Sequence, residues 1–132
     1  MTDRKLVYIA SPYAGDVAGN TVFAIDACRF CIAQGHVPIA VHLLYTQMLD
    51  DSNPEQREIG LNLGHQVLSR CDELWVCGNR ISPGMAAEIA EAEKLSIPVR
   101  MIKTTQIYIG SELLKDMRVT GSPSGRLELI MQ

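Results

Sequence analysis

The segment Ser82-Pro83-Gly84-Met85-Ala86-Ala87-Glu88-Ile89 holds the sharpest concentration of chemically useful residues in the chain. Serine followed by proline is a helix start, with the serine as N-cap and the proline at the first helical position, where its missing N–H leaves no bond unmade. Such a start gathers a hydroxyl and backbone N–H groups at the positive end of a helix dipole, a seat for a phosphate or carboxylate. The same serine also serves as an ordinary cap. Glu88 follows about one turn inside that helix, and the small Ala86 and Ala87 before it would let a ligand approach its carboxylate. A glutamate with such access is a candidate for a catalytic role. The plainer reading is a solvated first-turn acid that complements the dipole. Glu91 and Glu93 read as the solvent face of the same helix.

The commoner site chemistries are missing. The sequence holds no nucleophile elbow, P-loop, G-x-G-x-x-G turn or H-E-x-x-H helix. Cys28 and Cys31 make a C-x-x-C, but mid-helix, with no helix N-terminus to lower a thiol pKa and no second pair at zinc-binding spacing. With Cys71 and Cys77 the chain has four cysteines, three of them inside apolar helical or strand patterns, so they read as reduced, buried thiols. No metal and no cofactor is called for.

The elements that must position Glu88 follow from hydrophobic periodicity. Lys5 to Ala10 is a short strand that breaks at Ser11-Pro12 and enters the polar turn Tyr13-Ala14-Gly15-Asp16. From Asn20 to Gln34, apolar residues recur at spacings of three and four and Gly35 stands at the C-terminal cap, which predicts an amphipathic helix. Val37 to Val41 is a second strand, followed by a mixed loop from His42 to Asn53. Asn53-Pro54 starts a second helix running to about Arg70, with Gly60 and Gly64 inside it marking close packing. Glu73 to Cys77 is a third strand, Met85 to Leu95 a third helix and Pro98 to Ile102 a fourth strand. This alternation predicts an α/β fold: a single-domain Rossmann- or flavodoxin-like three-layer sandwich on a mostly parallel sheet, spanning residues 1–103. Residues 104–132 read as a C-terminal extension, a hairpin or edge strand turning at Gly121-Ser122-Pro123-Ser124-Gly125.

Ligands of such sheets bind beyond the C-terminal strand ends. That singles out the loops Ser11 to Asn20, His42 to Asn53 and Gly78 to Gly84. In or beside these loops lie the candidate ligand-binding residues Ser11, Pro12, Tyr13, His42, Ser82, Gly84 and Met85. Arg29, Arg57 and Arg80 lie near these loops and read as surface residues, since arginine is rarely fully buried.

Composition narrows the partners. The chain has 132 residues, 47% of them hydrophobic, and a net charge of −3, enough apolar content for a core without staples. Its apolar runs are far shorter than the roughly 20 residues of a membrane-spanning helix, so no membrane partner is expected. No run of Lys or Arg exceeds Arg4-Lys5, so no nucleic acid is expected either. The N-terminus lacks the apolar region of a signal peptide, and the expected location is cytoplasmic.

Tyr8-Ile9-Ala10-Ser11-Pro12-Tyr13, Cys71-Asp72-Glu73-Leu74-Trp75-Val76 and Ser82 to Ile89 together resemble the nucleoside 2-deoxyribosyltransferase-like superfamily, in particular a small bacterial and phage branch of it. The resemblance covers roughly residues 5–103. It implies that Glu88 is a catalytic nucleophile attacking the anomeric carbon of a sugar, and that Tyr8 orients it. Nucleoside transferases of the superfamily carry an aspartate six residues before the glutamate, whereas its 2′-deoxynucleoside 5′-monophosphate N-glycosidases carry a serine. Ser82 stands at that position and implies a 5′-phosphorylated ligand.

Two departures accompany the match. The superfamily's glycosidases place a catalytic aspartate where this chain has Gly64, so leaving-group protonation, worth roughly 10² to 10⁴ in rate, would fall to His42, His65 or Asp51. An asparagine that some transferases supply from a neighbouring subunit's C-terminus has no counterpart after Asn79. Two functions stay open: an N-glycosidase acting on a (deoxy)nucleoside 5′-monophosphate, with Tyr13 and His42 flanking base or sugar, or a phage-accessory type of protein that binds a nucleotide or nucleotide signal without turnover. The superfamily's members are dimers or larger. The tail's many large apolar residues, among them Ile107, Ile109, Leu113 and Leu129, accordingly suggest a homodimer.

Overall fold

The computed structural model describes residues 3–117. Four parallel strands, β1 (Leu6–Ala10), β2 (Val37–Ile39), β3 (Glu73–Cys77) and β4 (Val99–Ile102), form one sheet in the order β2-β1-β3-β4. The helices between them are α1 (Val17–Ala33), α2 (Val41–Leu44), α3 (Pro54–Leu68) and α4 (Pro83–Lys94), with α5 (Thr104–Met117) after β4. This is the expected α/β architecture, and its sheet is parallel throughout.

Strand periodicity sorts the core into two halves. Along β1, Val7 and Ile9 face one side of the sheet, where they pack with Ala27, Phe30 and Cys31 of α1 and Ile107 of α5. Tyr8 and Ala10 face the other side, with Leu68 of α3 and Met85 and Ala92 of α4. Tyr8 is therefore delivered to the layer that carries Glu88 by the period of two alone. All five residues of β3 are buried, as a strand covered on both faces requires. Within it, the Glu73 carboxylate accepts from Trp75 Nε1 at 2.8 Å and from Lys5 Nζ at 2.6 Å. Those bonds, with Lys5 and Arg100 nearby, hold the Glu73 carboxyl below its ordinary pKa even though burial opposes them.

The structure departs from expectation in two places. The segment after β2 is not an irregular loop. It winds into α2 and then a single 3-10 turn, Tyr45–Gln47, with Thr46 Oγ1 donating to the His42 carbonyl and Gln47 Nε2 to that of Leu43. Beyond β4, residues 104–117 are helical rather than a hairpin or edge strand, because Ile107, Gly110 and Ser111 recur at helical spacing and pack on α1. Ser111 donates a buried 2.7 Å bond to Asp26, and Gly110 lies against the Phe30 ring. The turn at 121–125 lies outside the described residues. The four cysteines are free, three of them buried and Cys28 half-buried; burial pushes Cys28 and Cys71 up to about 11 and Cys77 to about 12. No helix among the described residues is long and apolar enough to cross a membrane.

Candidate functional site

The decisive local feature is the start of α4. Ser82 is extended at φ −79° and ψ 165°, its Oγ accepts the Met85 N–H at 3.2 Å, and Met85 Sδ in turn accepts the Ser82 N–H. This reciprocal cap, with Pro83 at the first turn, fixes the helix register. Met85 and Ala92 then point into the core, while Gly84, Ala87 and Glu88 line an open cavity.

That cavity has a volume of about 160 Å³ and lies between α3 and α4, with the segment from Val41 to Asp51 as its third wall. Tyr8 reaches it from β1, and the Tyr8 hydroxyl donates a hydrogen bond to Glu88 Oε2. Glu88 Oε1 is buried and has no hydrogen-bond partner among the described residues. Burial raises the Glu88 carboxyl to a pKa of about 7, with the Tyr8 bond pulling the other way. Burial likewise raises the Tyr8 phenol far above its ordinary range, with the Glu88 charge adding to it, so Tyr8 remains a donor at any working pH. The pair amounts to a carboxyl fixed at one oxygen, poised to ionise near neutrality, and unpartnered at the other oxygen.

Around this pair the cavity holds His42, Asp51, Arg57 and His65. Burial lowers the His42 pKa from its ordinary value, although Asp51 opposes this, so the imidazole is neutral at pH 7. The Tyr13 and His42 rings are stacked, 5.4 Å between centroids and 15° between planes, which braces His42 from the loop after β1. On α3, the residues facing the cavity include Arg57, Gly60, Gly64, His65 and Leu68, one stripe of a helix started by Asn53, whose side chain accepts from the Glu55 and Gln56 N–H groups. A Cβ at Gly64 would lie 3.6 Å from the Tyr8 hydroxyl, an ordinary contact. The missing side chain there widens the cavity directly in front of the Tyr8–Glu88 pair.

Of the residues singled out from sequence, Tyr8, His42, Gly84 and Glu88 meet on this one cavity, together with Asp51 and His65. Tyr13 supports it through His42. Ser11, Pro12, Ser82 and Met85 are not on its wall. Ser11 is buried at the end of β1, and Met85 is a core residue, 1% exposed, because the capping geometry turns its side chain inward. Arg29 pairs with Asp26 on α1, and Arg80 is exposed away from the cavity. Sequence reading overlooked Tyr45, Thr46, Leu49 and Gln56, whose positions depend on the α2 turn; the Asn53-Pro54 helix start could have shown that Gln56 and Arg57 share the face of Gly60 and Gly64.

Comparison with known proteins fits this picture. The family model of a domain of unknown function, DUF7768, matches residues 5–102. The chain belongs to the DUF7768 family. A search of curated proteins finds no match. Among solved structures, this DUF7768 chain is similar to a 2-deoxyribosyltransferase from the psychrotolerant bacterium Bacillus psychrosaccharolyticus, with a TM-score of 0.59 and 18% identity over 74% of this chain and 72% of that one. At that identity the likeness shows the fold, a distant nucleoside deoxyribosyltransferase-like one.

Proposed function

We propose that this DUF7768 protein is an N-glycosidase of (deoxy)nucleoside 5′-monophosphates that uses Glu88 as its nucleophile. The observation that carries the reading is a cavity-lining glutamate, Glu88, whose buried Oε1 has no partner among the described residues while Tyr8 holds Oε2. A buried carboxylate oxygen without a donor is costly in an empty site, and it is well placed to meet an electrophilic carbon. The resemblance of the Ser82 to Ile89 segment to the deoxyribosyltransferase-like superfamily and the fold likeness point to the same chemistry.

In this mechanism the ionised Glu88 attacks C1′, the C1′–N bond breaks, and the bonding pair leaves with the base, which takes a proton from water. The product is a glycosyl ester on Glu88. Water then attacks C1′ and gives up a proton to solvent, the ester bond breaks, and the carboxylate is restored with release of the sugar 5-phosphate. Tyr8 keeps Glu88 ionisable by stabilising its charge. The experiment is incubation of wild type and Glu88→Ala with a panel of nucleoside and deoxynucleoside 5′-monophosphates, following free base by chromatography. Base released by wild type alone supports the proposal.

A second reading is favoured by one feature, Gly64 beside Tyr8, which has no side chain to act as a catalytic acid. Under it the protein binds a nucleotide or nucleotide-derived signal without turnover. Nucleotide bound by both proteins with no base released would establish this reading in place of the first.

A further inference from the structure

The cavity described above contains two carboxylates, Glu88 and Asp51, and Arg57 is the one Lys or Arg on its wall among the described residues. A phosphate monoester brings close to two further negative charges at neutral pH, so its binding there needs a cation. Ser82 does not provide one: its side chain is neutral and it is not on the cavity wall. Lys5, Arg29, Arg100 and Lys115 are committed to ion pairs with Glu73 or Asp26. Among the described residues, Arg57 makes no ion pair and its guanidinium no side-chain hydrogen bond.

The α3 face between Arg57 and the Tyr8–Glu88 pair is built to be bare. Arg57, Gly60 and Gly64 are spaced by three and four residues and share one side of the helix. A Cβ at Gly60 would meet Leu49 Cδ1 at 3.4 Å and one at Gly64 the Tyr8 hydroxyl at 3.6 Å, so each glycine leaves about a methyl group's room at the cavity wall. From Gly64 to Arg57 is two helical turns, roughly 10 Å along the axis, a span that a sugar phosphate and an extended arginine side chain share. The buried, unpartnered Glu88 Oε1 marks the other end of the track.

We propose that Arg57 recognises the phosphate of a 5′-phosphorylated ligand, whose sugar lies along the bare face of α3 with its anomeric carbon at Glu88. This rests on the nucleotide reading of the site but not on turnover. The planar guanidinium offers two parallel N–H donors to phosphate oxygens, and its charge offsets Asp51 and Glu88. Gly84 adds a neutral donor, since its N–H lies in the first turn of α4 and has no intrahelical acceptor.

The test is calorimetric titration of 2-deoxyribose 5-phosphate and of 2-deoxyribose into wild type, Arg57→Gln, Arg57→Lys and Glu88→Gln at low salt. Wild type is expected to prefer the phosphorylated sugar. Arg57→Gln should lose roughly ten- to a hundredfold in affinity for it with no change for the neutral sugar, and Arg57→Lys should recover part of the loss. Glu88→Gln should still bind the phosphate. Wild type without a preference for the phosphorylated sugar, or Arg57→Gln binding it as tightly as wild type, would overturn the assignment. Binding that depends on Arg57 with no base released from any 5′-monophosphate would instead overturn the glycosidase reading and leave Arg57 in place.

Discussion

Replacing Glu88 with glutamine tests the electrostatics of the site without needing a substrate. The folded protein raises the Glu88 pKa from 4.5 to about 7, chiefly by burial. Between those values the unfolded chain has lost the Glu88 proton while the folded protein keeps it. Stability from this group is therefore fully present below pH 4.5 and is lost as pH rises through 7. At 1.36 kcal/mol per pH unit the rise corresponds to about 3 kcal/mol, an upper figure because the cavity is open to water. Glutamine keeps the shape and an oxygen for Tyr8 to donate to, and it does not titrate. The stability difference, variant minus wild type, should thus grow by about 2 to 3 kcal/mol between roughly pH 4.5 and pH 8.5, or roughly 10 °C in Tm for a domain of this size. Urea unfolding of both proteins at half-unit pH steps measures it. Parallel stability curves across that window would refute the account of Glu88 as a carboxyl held protonated by burial.

Four further outcomes are expected. Tyr8→Phe removes the bond that lowers the Glu88 pKa, so the midpoint of the pH–rate profile should move above 7, with base release at pH 7 falling roughly tenfold per unit and recovering at higher pH. Gly64→Ala should stabilise the fold by up to about 1 kcal/mol, since its Cβ meets only ordinary contacts within a helix, while weakening sugar phosphate binding by filling the cavity; thermal melts with and without 2-deoxyribose 5-phosphate show both effects. Gly110→Ala should destabilise by about 1 to 3 kcal/mol, because its Cβ would collide with the Phe30 ring between α1 and α5; urea unfolding checks this. Tyr108, Ile109 and Leu113 leave an exposed apolar face on α5, and light scattering is expected to give twice the 14.5 kDa chain mass, with Ile109→Lys shifting it toward monomer.

The alternation of apolar strands and helices was enough to determine a parallel α/β sheet. Each turn carried its own local signal: Gly35 after α1, Asn53-Pro54 before α3 and Ser82-Pro83 before α4. The same local chemistry made Glu88 conspicuous, since a cap sets the register of the residues that follow it. Period-two alternation put Tyr8 on the side of the sheet opposite Val7 and Ile9. What no local pattern could decide was which groups share a cavity. Met85 and Glu88 stand three residues apart on α4, yet Met85 is buried in the core and only Glu88 reaches the cavity. Tyr8 and Glu88 are 80 residues apart and meet because β1 lies beside β3 in the sheet, with α4 packed over Tyr8. Burial of Glu88 depends on α3, α4 and β1 at once, so its pKa near 7 is a tertiary property: desolvation is set by everything that surrounds a carboxyl, and sequence neighbours supply only a part of that shell.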